Sequence, residues 1–172
     1  METLSKTRLA ITPAAADDIL VVIALAHRIW PVAYAGILTP EQIANMLERI
    51  YSPENLEGEM GQGHRFWIAY HGESPAGFVS GYRENQDIIW IKKIYVDPAV
   101  QGSGIGKQLI QTIISAFSPA REIKLLVNPH NIPAHRYYTH QGFIKIGEKP
   151  VKMGDWDFND FVFARHLENE KI

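Results

Sequence analysis

Between Val96 and Ile110 the chain runs Val-Asp-Pro-Ala-Val-Gln-Gly-Ser-Gly-Ile-Gly-Lys-Gln-Leu-Ile. An apolar strand stops at Asp97-Pro98, a turn follows with glycines at 102, 104 and 106, and an amphipathic helix begins. A backbone without Cβ atoms can approach a ligand closely. The helix behind it aims its free N–H groups and the positive end of its dipole into the turn. The segment is built to hold a phosphate or pyrophosphate, so the fold must present a strand, this turn and a helix around such a group.

Two familiar phosphate loops do not match. A P-loop needs Gly, four residues, Gly-Lys and then Ser or Thr; Gly106-Lys107 fits the middle, but Gln101 and Gln108 stand at the outer positions. A dinucleotide fingerprint, G-x-G-x-x-G, counted from Gly102 puts Lys107 at its third glycine. A module binding ATP or NAD is weakened by both failures. What does match is Q-x-x-G-x-G, as Gln101-Gly102-Ser103-Gly104-Ile105-Gly106, followed by Asn131-x-x-Ala134-x-x-x-Tyr138-x-x-x-Gly142-Phe143. In order and spacing the two segments resemble the cofactor-binding core of the GNAT superfamily of acetyl-CoA-dependent N-acetyltransferases.

The remaining pattern predicts strands over Arg8–Thr12, Arg65–Tyr70, Ala76–Arg83, Ile88–Val96, Arg121–Val127, Phe143–Gly147 and Asp160–Leu167. Thr12 reads as an N-cap with Pro13 at the first helical position, opening a helix with a regular apolar face to Trp30, where Pro31 interrupts. Thr39-Pro40-Glu41-Gln42 is a capping box opening a second helix. Helices follow the glycine turn and Asn131. The order is strand, two helices, three strands, helix, strand, helix, two strands: a mixed α/β (α+β) domain with helices on both sheet faces. The resemblance implies the same order and adds a splayed parallel strand pair that holds the cofactor.

With 172 residues and a net charge of −2 the chain is expected to form one domain, residues 1–172, with neither nucleic acid nor membrane as partner. The absence of cysteine excludes disulfides, thiolate zinc sites and a cysteine nucleophile. The apolar run Ile19–Ala26 is too short to span a bilayer and follows two aspartates, so a cytoplasmic location is expected. His130, His135 and His140 recur every five residues, about 140° per step on a helix, which scatters them; no metal site is expected.

The resemblance implies acetyl-CoA as co-substrate and a role for each matching residue. Ile94, Tyr95 and Val96 lie nearest the pantetheine arm, where a backbone N–H faces the thioester oxygen. Gln101, Gly102, Ser103, Gly104, Ile105, Gly106 and Lys107 wrap the pyrophosphate. Asn131 caps its helix, and its amide also reaches the cofactor. Tyr138 is the general acid for the departing sulfur, although phenol-to-thiolate transfer is uphill by roughly 2 kcal/mol at reference values. The match ends at the base. Where several family members carry glutamate, four residues before Val96, this chain has Lys92. Glu84, Asp87, His64 and Glu41 are substitutes that nothing singles out.

The acceptor region falls in the first two helices and nearby loops, with Tyr34 and Trp30 as its candidate residues: Trp30 continues an apolar face and suits the core better, whereas Tyr34, beyond Pro31, is the better candidate for lining the pocket. The loop Met153–Asp157 sets two carboxylates around Trp156 and reads as a solvated hairpin or an amine-binding loop. The expected activity is acetyl transfer to a primary amine of a small molecule, a polyamine among the options, by direct attack in a ternary complex. A peptide N-terminus, an aminoglycoside, a homodimer and a non-catalytic acyl-CoA sensor stay open at this stage.

Overall fold

The structure is a computed structural model that describes residues 8–168. One seven-stranded sheet, in the order β1-β2-β3-β4-β5-β7-β6, carries five α-helices. The strands are β1 (Leu9–Ala14), β2 (Arg65–His71), β3 (Ser74–Arg83), β4 (Ile88–Val96), β5 (Glu122–Val127), β6 (Ile144–Met153) and β7 (Trp156–His166). The helices are α1 (Ile19–Ala33), α2 (Pro40–Ile50), α3 (Pro53–Gly61), α4 (Ile105–Ala116) and α5 (Ile132–His140). All neighbouring strands are antiparallel except β4 and β5.

Alternation along the central strands feeds two cores. Phe66, Ile68 and Phe78 pack under α1, α2 and α3 on one face. Trp67, Val79, Ile89 and Ile91 pack under α4 on the other. Side chains cap the starts of α2, α3 and α5. Thr39 Oγ1 accepts from the Gln42 N–H at 3.1 Å, and Gln42 Oε1 accepts from the Thr39 N–H at 2.9 Å.

Four expectations change. Thr12 and Pro13 belong to β1, not to a helix start; β1 is an edge strand, where a missing N–H costs the ladder nothing. Helix α1 runs through Pro31 to Ala33, because the proline falls in its last turn. A third helix, α3, opens at Ser52, whose Oγ accepts from the Asn55 N–H at 3.1 Å. Strands β6 and β7 are longer than expected and meet in a tight hairpin at Gly154-Asp155. Among the described residues no helix is long and apolar enough to cross a membrane.

Candidate active site

The parallel pair opens after three residues. Ile88, Ile89 and Trp90 pair with Glu122, Ile123 and Lys124, and beyond them β4 runs on to Val96 and β5 to Val127 without pairing each other. The cause lies on the other side of β4. Gly81 pairs with Ile91 and Ser80 with Lys93, so Lys92 is an extra residue with no partner in β3. Such a bulge bends its strand and increases the local twist. The wedge leads into a cavity of about 760 Å³ reaching from the glycine turn to the end of α1.

The glycine turn closes one end. Gly104 is the N-cap of α4 with φ +83°, a left-handed backbone natural to glycine, and a Cβ there would meet only open space. Gly106 serves differently: it lies in the first turn of α4, and a Cβ would collide with the Tyr137 hydroxyl. Gln101, Gly102, Gly104, Ile105, Gly106 and Lys107 line the cavity. Ser103 is not among the lining residues; its hydroxyl donates to the Val100 carbonyl at 2.5 Å. Asp97 holds the approach, accepting from the Ala99 N–H at 3.0 Å and pairing with Arg28 of α1 at 2.9 Å.

Helix α5 forms the opposite wall. Asn131 Oδ1 accepts from the Ala134 N–H at 3.2 Å, so the cap exists, and its residue also lines the cavity. Tyr138 lines it too, its ring set edge-on to Phe143 at 5.7 Å. Burial holds the Tyr138 phenol well above its ordinary pKa, with the Tyr34 and Tyr137 phenols adding to the shift. It therefore stays protonated, and a donor, at neutral pH.

Tyr34 and Tyr95 meet across the cavity from that wall, their hydroxyls 2.8 Å apart. Burial pushes Tyr34 up to about 12; the Tyr95 hydroxyl opposes this and the Asp160 charge adds to it. Trp30 does not reach the cavity: at 1 % exposure it packs between Tyr34, Tyr51 and Tyr95. Ile94, Tyr95, Val96 and the exposed Lys92 all lie along the wall. Glu84, Asp87, His64 and Glu41 do not. In the β6–β7 hairpin, Asp155 accepts from Asn45 Nδ2 at 2.7 Å and pairs with Arg49 at 3.1 Å, which fastens the turn to α2.

Sequence reasoning missed the β5 side of the cavity, Leu125 to Asn128, whose exposure depends on the splay. Asn128 receives the His130 N–H on its side chain at 2.9 Å, and its carbonyl faces His135 Nε2 at 3.0 Å. The pair Asn128 and Asn131 flanking His130 was the available signal.

The model of the acetyltransferase (GNAT) family matches residues 27–143. An uncharacterized N-acetyltransferase of Mycobacterium tuberculosis (strain ATCC 25618 / H37Rv) is 26% identical over 147 residues, spanning 84% of this chain and 94% of its own. Another, from the pepI 3′ region of Lactobacillus delbrueckii subsp. lactis, is 25% identical over 177 residues, spanning 94% and 99%. Among solved structures, the PaiA N-acetyltransferase of Thermoplasma acidophilum in complex with coenzyme A superposes with a TM-score of 0.79 over 93% of this chain and 99% of that one, at 21% identity. That likeness speaks for the fold.

Proposed function

We propose that this chain, which belongs to the acetyltransferase (GNAT) family, transfers an acetyl group to a primary amine of a small molecule, polyamines included, by direct attack in a ternary complex. One observation carries the reading: the wedge between β4 and β5 joins the glycine turn, Tyr138 and the Tyr34–Tyr95 pair in a single cavity. The residues fit acetyl-CoA, the family's co-substrate. The free edge of β4 from Ile94 to Val96 suits an amide-bearing arm, and the Gly104 turn with the N-terminus of α4 suits a pyrophosphate. When bound, acetyl-CoA supplies the thioester whose acyl carbon the amine attacks.

In this reading the C–N bond forms as the C–S bond breaks. The ammonium's extra proton is lost before attack and a second leaves as the amide forms; one returns to the sulfur, so the sum releases one proton. In this reading Tyr138, which lines the cavity, donates to the departing sulfur. Its raised pKa favours hydrogen bonding over early proton transfer. A backbone N–H of Ile94–Val96 steadies the thioester oxygen. Lys107 adds charge at the mouth of the phosphate turn. The reading sets the activity in the cytoplasm, in keeping with a chain without cysteine.

The test is acetyl-CoA-dependent thiol release across polyamines, amino acids, aminoglycosides and short peptides. Release with small-molecule amines is the expected result; release only with peptides would overturn the acceptor class. Tyr138→Phe is expected to keep acetyl-CoA affinity and lower turnover about 10²-fold. Unchanged turnover would remove Tyr138 as donor.

A further inference from the structure

The cavity carries charge of one sign. Among the described residues that line it, only Lys92 and Lys107 are charged, and no carboxylate joins them. The two lysines stand at different ends. Lys107 lies in the first turn of α4, against the glycine turn, where in the reading above a pyrophosphate supplies its counter-charge. Lys92 stands four residues before Val96, about 13 Å of extended strand from that turn. It lines the narrow end of the wedge, two residues past Trp90, the last residue of β4 to pair with β5.

Nothing in the fold answers the charge of Lys92. The residue is exposed and makes no ion pair among the described residues. Glu59, the carboxylate that meets β4 from α3, is taken on both oxygens by Lys93. The Tyr34 and Tyr95 hydroxyls in the same cavity are neutral phenols that burial keeps protonated. The surroundings do not reverse the sign. Lys124 and Lys149 bring their ammonium groups to the Trp90 ring, 5.8 and 5.4 Å from its centroid. Against them stand Glu122, paired with Lys124 at 3.2 Å, and Asp160, opposite Lys149 in the β6–β7 ladder. Phe161 packs in the α4 core, so alternation sets Asp160 on the other face, and neither carboxylate lines the cavity.

An ammonium brought to this end of the cavity meets a like charge, whereas a single negative charge finds a single positive one. A phosphate monoester, with about two charges at neutral pH, would be half-matched beside neutral phenols. A carboxylate fits. Resting on the amine-acetylation reading above, we infer that Lys92 is a specificity-determining residue that pairs with a carboxylate of the acceptor. Among small-molecule amines the preferred class is the amino acids, and polyamines fall at the poor end.

The experiment sets each amino acid of a panel against its own carboxamide, which keeps the amine and removes the charge, and against 1,4-diaminobutane. It reads kcat/KM, melting temperature and calorimetric binding to the CoA-saturated protein, on the whole chain, for wild type, Lys92→Gln and Lys92→Arg. Wild type is expected to prefer the best-used amino acid over its carboxamide and over the diamine about tenfold. Lys92→Gln should lose that preference, chiefly through KM, and Lys92→Arg should retain it. The three melting temperatures should agree, since Lys92 has no partner to lose. A lysine needed only for the fold would instead lower the melting temperature and weaken all acceptors alike, and that result overturns the inference. So does a wild type that favours the carboxamide or the diamine, or a preference that survives in Lys92→Gln. Should wild type acetylate no amine yet bind an amino acid through Lys92, the acetyl-transfer reading falls and the subsite stands. Absence of both acetylation and binding of amino acids overturns the subsite.

Discussion

Two carboxylates lie buried on the α1 face of the sheet, and the fold treats them in opposite ways. Glu59 on α3 is 8 % exposed and receives Lys93 Nζ on both oxygens, Oε2 at 2.6 Å. Lys93 is itself 5 % exposed and lies over the rings of Tyr51 and Phe66, 5.7 and 6.0 Å from their centroids. Among the described residues Asp160 has no such cation. The first charge is matched inside the protein and fastens α3 to β4 next to the bulge. The second is left unmatched on β7, and burial pushes its carboxyl up. Burial alone does not say whether a carboxylate fastens two elements together; the inventory of partners does.

Breaking the matched pair should have the largest effect. Glu59→Gln leaves the Lys93 ammonium buried against a neutral amide and should cost about 3–5 kcal/mol in urea unfolding. A loss under about 1 kcal/mol would put the pair on a par with a surface bridge and erase the contrast. Replacing both partners, Glu59→Leu with Lys93→Met, should give a protein between unchanged and about 4 kcal/mol more stable, by the same measurement. A double variant weaker than Glu59→Gln alone would mean that the pair specifies the packing of α3.

The smallest effect is the pH dependence of Asp160→Asn. Burial raises the Asp160 pKa above its usual 3.8, so the folded protein holds that proton more tightly than the unfolded chain. Wild type therefore loses stability as pH rises from 3.8 through the raised value. The stability gained in the variant should be complete above that window and vanish below it, as thermal melts across the acid range would record. A gain that did not change with pH would mean that the Asp160 carboxyl titrates alike in the folded and unfolded chain.

The two carboxylates also mark what the sequence reveals. The glycine turn, the Asn131 cap and Tyr138 lie in two short segments whose chemistry is local, and they were readable as such. Helix α3 was missed, although Ser52-Pro53-Glu54 repeats the signature of Thr39-Pro40-Glu41. The splay was not, because it depends on which residues of β4 fail to pair with a strand far along the chain. Asp160 sits between Asn159 and Phe161 in a strand whose outer residues are polar. Nothing nearby in sequence says that this aspartate, and not Asp157 or Asn159, is covered. Its burial is a product of the assembled sheet.

Lys92 makes the opening of the cleft a matter of counting. Ahead of it the odd-numbered residues Ile89 and Ile91 face α4; behind it the even-numbered Ile94 and Val96 do. Excising that single residue would leave every other side chain of β4 on its present face and restore an unbroken ladder with β3. Both cores would survive the deletion, whereas the bend that parts β4 from β5 would not. An unpaired residue is also released from any cross-strand match. Insertion at this point shapes the cleft, and the side chain that fills it, lysine here, answers to no partner in β3.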